Sequence, residues 1–162
     1  MYNTSQSVSA TMALNSGALA IGSTTSQIST GAIGHFVING RAYRKAITDN
    51  IAISYTGPSV YGAATNGSFT GATGGSTRLY GLYMDTAGAV SLEPGPIANT
   101  AELSAGTAAL HFPGAKRGLT CFGVMRIAVT ANTTFIPGTT ALGAAGVTTT
   151  YINMASHPGG PI

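Results

Sequence analysis

Phe36-Val-Ile-Asn-Gly40, followed by Arg41-Ala-Tyr-Arg-Lys45, is the stretch that decides the fold. Asn-Gly between apolar runs is the strongest short signal for a β-hairpin, because both central residues of a type I′ turn need φ > 0. Phe36–Ile38 is then one strand and Arg41–Lys45 its return. The same grammar recurs at Leu79-Tyr-Gly-Leu-Tyr-Met84, which alternates, turns at Asp85-Thr-Ala-Gly88 and returns as Ala89-Val-Ser-Leu92. Glu93-Pro-Gly-Pro96 is expected to end that second hairpin, since proline cannot donate to a ladder.

Further out, Ile51–Tyr55 reads as a strand stopped by Gly57-Pro58, and Val147–Ile152 as the last strand. Phe135 and Ile136 precede a Pro137-Gly138 turn. Leu119–Thr130 is the most apolar long strand and is expected at the centre of a sheet, with Arg126 near one end. Strict alternation sets Phe122, Val124, Arg126 and Ala128 opposite Cys121, Met125, Ile127 and Val129. One helical turn is expected near Thr100–Leu103.

No window carries a helical apolar stripe, and the chain's 23 glycines argue against long helices. About seven short strands between turn signals predict an all-β fold: a β-sandwich or small β-barrel, jelly-roll-like. A chain of 162 residues is read as one domain. Residues 1–34 form an extended N-terminal arm with room for one short strand at Ala18–Gly22; a frayed terminus is the competing reading. Residues 35–155 are the β domain, and 156–162 a flexible C-terminal tail. Val60–Thr77, rich in Gly, Ala, Ser and Thr, reads as a long loop or projecting hairpin suited to partner contact.

Charged residues make up 7% of the chain and apolar ones 44%, where an ordinary domain carries roughly 25% charge. A surface of hydroxyls and amides, or one covered by neighbours, suits a part of an assembly better than a free enzyme, because interface cores are depleted in charge. The net charge of +3 comes from seven cations against four acids. Arg41, Arg44 and Lys45, then Lys116 and Arg117, are the nearest approach to a cation cluster. They read as edge-strand or turn cations, so no direct nucleic-acid contact is expected. No run is long and apolar enough for a membrane span, and no cationic segment precedes an apolar core as in a secretory signal. The chain is expected to stay where it is made, without a signal peptide.

The four acids, Asp49, Asp85, Glu93 and Glu102, do not mark a catalytic pair. His35, His111 and His157 lack metal-ligand spacing, and Cys121 sits alone in an apolar run as packing. No nucleophile elbow, P-loop or calcium loop occurs. The expectation is a non-enzymatic protein with no cofactor and no metal. Candidate interface residues are the arm's Leu19, Ile21, Ile28 and Ile33, with Tyr43, Tyr61, Phe69 and Tyr80, since tyrosine offers apolar area with a polar tip.

Ala18-Leu-Ala-Ile-Gly-Ser-Thr-Thr25, Phe36-Val-Ile-Asn-Gly40 with Tyr43-Arg-Lys-Ala46 and Thr48-Asp-Asn-Ile-Ala52, Leu82-Tyr-Met-Asp-Thr-Ala-Gly-Ala-Val90, and Phe135-Ile-Pro-Gly-Thr-Thr140 with Gly146-Val-Thr-Thr-Thr-Tyr151 follow one another in an ordered set. Taken together they resemble the head decoration (capsid cement) proteins of tailed bacteriophages. The resemblance implies a virion protein on the capsid exterior, partnered by the major capsid protein and by itself as a homotrimer or homodimer. It would bridge capsomers at two-fold or quasi-three-fold positions. A head-fibre or spike base, or a glycan-binding surface module, is the alternative.

Overall fold

The computed structural model describes residues 11–57, 65–114 and 116–154. Its elements in chain order are β1 (Met12–Ala13), β2 (Leu19–Ile21), β3 (Ile28–Thr30), β4 (Gly34–Ile38), β5 (Arg41–Lys45), β6 (Phe69–Thr70), β7 (Ser76–Met84), β8 (Val90–Asn99), α1 (Thr100–Ser104), β9 (Thr120–Val129), β10 (Thr134–Phe135) and β11 (Val147–Asn153). All pairings are antiparallel. The largest sheet runs β11-β9-β7-β8, and the smaller ones are β1-β4-β5, β2-β3 and β10-β6. The fold is all-β and sandwich-like.

Both hairpins form as expected. Asn39 and Gly40 adopt φ of 51° and 76°, and β4 pairs β5 from Ile38 opposite Arg41 to Gly34 opposite Lys45. At the β7–β8 turn, Asp85 accepts hydrogen bonds from the Ala87 and Ala89 amides, both at 2.9 Å. The helical turn is α1, capped by Asn99, whose side chain accepts from the Ala101 amide at 2.9 Å.

At its centre, along β7 and most of β9, the large sheet is buried on both faces. One face, with Tyr80, Leu82, Met125 and Ile127, packs under Phe36, Ile38, Phe69 and Phe135 from the small sheets. The other, with Leu79, Tyr83 and Val124, is covered by Leu103, Leu110, Phe112 and Leu119 from the stretch that contains α1. Every position of β7 is therefore buried. Burial on this scale is the main driving force for folding.

Three elements depart from the sequence reading. β8 does not stop at Glu93 but runs through Pro94 and Pro96 to Asn99. It can do so because it is an edge strand, where a missing N–H faces away from the ladder. The register also skips between Arg78 opposite Ile97 and Tyr80 opposite Pro94, which places Gly95 and Pro96 in a bulge. Ile51–Tyr55 alternates inward and outward but, among the described residues, forms a single bridge, Ile51 to Ile28. Its apolar side chains reach the core without a ladder. In β9 a register shift falls between Leu82 opposite Gly123 and Tyr83 opposite Cys121. This bulge at Phe122 swaps the two positions: Phe122 joins Met125, Ile127 and Val129, while Cys121 joins Val124.

Residues 11–34, expected as an arm laid on a neighbour or a frayed end, fold onto their own subunit. β1 pairs with β4, β2 with β3, and the Leu14 amide donates to the His35 carbonyl at 2.8 Å. Leu19 is seated over Gly123, where any Cβ would collide with its Cδ1. Residues 1–10 and the C-terminal tail lie outside the described residues. The Val60–Thr77 stretch falls partly outside them and otherwise supplies β6 and the start of β7.

Candidate functional site

Four expected interface residues are core residues instead. Leu19, Ile28, Phe69 and Tyr80 are all less than a tenth exposed. Tyr80 packs against Phe69 and Phe135 and donates its hydroxyl to the Gly67 carbonyl at 2.7 Å. Their apolar area holds this subunit together and is not offered to a partner. Ile33 and Tyr43 are half-buried, with the Tyr43 ring stacked on Phe36 at 5.6 Å. Ile21 is 42% exposed. Tyr61 lies outside the described residues.

The exposed apolar surface is elsewhere. Among the described residues, Met12, Leu14, Ile21, Ile47 and Ile97 are the exposed large hydrophobics. Side chains alternate across a sheet, so while Ala13, Phe36 and Ile38 point into the core, Met12 and Leu14 share the outer face of β1-β4-β5. Val37, His35, Ala42 and Arg44 lie on that same face by the observed register. Sequence reading missed Met12 and Leu14 because Thr11–Leu14 carries no turn signal to betray a pairing partner. The alternation is visible only once Ala13 is known to sit inside.

Three of the four acids are committed to contacts within the fold. Asp49 Oδ1 accepts from the Ser23 amide at 3.0 Å and the Asn50 amide at 2.8 Å, and the Ser23 hydroxyl donates to Oδ2. Asn50 Oδ1 accepts from the Thr24 amide at 2.7 Å. The clamp ties the β2–β3 turn to the segment before Ile51. The Ser23 hydroxyl, then the two amides, hold the Asp49 carboxyl below its ordinary range. Asp85 belongs to its hairpin turn, and Glu93 pairs with Lys116.

A cleft of about 450 Å³ opens beside that ion pair, lined by Ser54, Tyr55, Thr56, Gly57, Ser91 and Leu92 as well as Glu93 and Lys116. Its chemistry is hydroxyls around one pair of opposite charges. Cys121 lies on the covered face of the sheet, where burial pushes its thiol up to about 11. Among the described residues no group of three or more His, Cys, Asp or Glu could hold a metal ion, and no helix is long and apolar enough to cross a membrane.

No protein-family model matches this chain, and neither a curated protein nor a solved structure matches it.

Proposed function

We propose that this chain is a non-enzymatic virion structural protein that binds the outer surface of a bacteriophage capsid and stabilises it by bridging capsomers. The observation that carries the reading is the pairing of 7% charged residues with a sheet face that exposes Met12, Leu14 and Ala42 beside half-buried Val37, with Arg44 and His35 as its polar members. Such a face can be covered without desolvating many charges. The ordered resemblance to head decoration proteins supports the same reading. A clamp that binds only the expanded lattice stabilises it by mass action, and repeated weak contacts add through avidity.

The test is copy number in purified particles, by quantitative mass spectrometry against the major capsid protein. A simple lattice fraction is expected. A few copies per particle would point to a fibre or spike, and absence would end the virion reading. The second reading, a glycan-binding surface module, is favoured by the hydroxyl-lined cleft at Ser54, Thr56 and Ser91. Saturable binding on a glycan array, lost in Glu93→Gln, would support it.

A further inference from the structure

The outer edge of β11 differs from the other long sheet edges of the molecule. The Thr130 amide donates to the Gly146 carbonyl at 2.9 Å, and the Met154 amide to the Phe122 carbonyl at 3.5 Å. In an antiparallel ladder the bonded pairs recur at every second residue. With Thr148 opposite Ala128 and Thr150 opposite Arg126, the main-chain groups of Thr148, Thr150 and Ile152 turn toward β9. Those of Thr149, Tyr151 and Asn153 turn outward. Among the described residues none of these outward groups has a main-chain partner.

Natural sheets blunt such edges with cations, prolines or bulges. This molecule does so twice: β5 carries Arg41, Arg44 and Lys45, and β8 carries Pro94, Pro96 and a bulge. β11, Val-Thr-Thr-Thr-Tyr-Ile-Asn, has no charge, no proline, no glycine and an unbroken register. Its β-branched residues favour the pleated conformation. A long bare edge on a molecule that guards the edges at β5 and β8 is a pairing surface.

We propose that a second copy of the chain adds its own β11 to this edge, antiparallel about a two-fold axis at Tyr151. Thr149 then faces Asn153 of the second copy and Thr150 faces its Ile152. About six new main-chain hydrogen bonds form, by the alternation of bonded pairs. The two four-stranded sheets become one continuous sheet. The strand is its own best-matched occupant. Selecting a different partner requires a complementary or repulsive feature, and β11 has none, whereas self-pairing needs only the two-fold. β11 itself brings no charge to desolvate and none to oppose its own copy. The inference does not depend on the capsid reading.

Sedimentation velocity over a concentration series tests it, with hydrogen exchange at individual amides. The expected species is twice the 16.1 kDa chain, and the Thr149, Tyr151 and Asn153 amides exchange more slowly as it forms. Thr149→Pro removes one outward donor and is expected to weaken association at least tenfold while retaining the β-sheet circular dichroism. Thr150→Lys, at an exposed side chain, sets two cations near the axis and is expected to do the same; it decides the matter if Thr149→Pro does not fold. A chain that stays single up to about millimolar concentration overturns the proposal. So does protection independent of concentration, which would mean that a terminal segment of the same chain occupies the edge. Association undiminished in the folded variants, or amide protection that arises only on adding another protein, overturns it as well.

Discussion

Asp49 is exposed, yet its carboxyl accepts three hydrogen bonds and joins two segments far apart in sequence. Its folded pKa lies below the ordinary value, so the unfolded chain binds its proton first as pH falls. The clamp's contribution is therefore complete above the unfolded value of about 3.9 and is lost as pH drops through the lower folded value. Asp49→Asn should flatten the acid limb of a plot of Tm against pH below about pH 4, with little change of slope at neutral pH. An unaltered acid limb would show that the clamp contributes nothing. Arg78 poses the opposite case, a cation inside the core. Its Nε donates to the Gly95 carbonyl at 2.6 Å, and its guanidinium lies 5.9 Å and 5.6 Å from the Phe69 and Tyr80 rings. Burial lowers its pKa. The hydrogen bond lands on the β8 bulge, so this side chain secures the irregularity that carries the strand past its prolines.

At the scale of elements, the β4–β5 hairpin rests on two residues with positive φ, one of them Gly40. A β-branched side chain there meets the left-handed penalty of about 1–2 kcal/mol. Gly40→Val should lower Tm by about 2–8 °C for a chain of this size, measured by thermal melting; an unchanged Tm would mean that the turn tolerates another geometry. The bulge in β9 works differently. It sends Phe122 to one core and Cys121 to the other. Gly123, beside the bulge, leaves the space that Leu19 occupies, which anchors β2 to the large sheet.

The described residues form two apolar clusters, one on each face of the large sheet, and β7 and β9 contribute to both. Neither cluster can dissolve without exposing the strands that support the other. Thermal unfolding should therefore be a single transition, with far-UV circular dichroism and tyrosine fluorescence coincident. Two separated transitions would mean that the small sheets come off as a unit of their own. Covering each face differently, with small sheets on one side and the α1 stretch on the other, leaves the edges of the large sheet as its remaining open boundary.

The sequence by itself determined the features set by local chemistry. Asn39-Gly40 and Asp85–Gly88 dictated their turns, one helical turn was expected near Thr100–Leu103, and the apolar runs in Val147–Ile152 and most of Leu119–Thr130 announced strands. Those signals are legible because each arises within a few residues. Tertiary structure alone decided the rest. Whether Glu93–Pro96 ends a strand depends on its being at a sheet edge, and which core receives Phe122 depends on a bulge against β7. Whether Leu19, Ile28, Phe69 and Tyr80 face a partner or the interior depends on what packs over them. The same holds for the candidate surfaces: Met12 and Leu14 became an exposed face, and β11 an unguarded edge, only when the neighbours of each strand were known. Composition records how much apolar area a chain has, but only long-range packing decides which part of it stays in water.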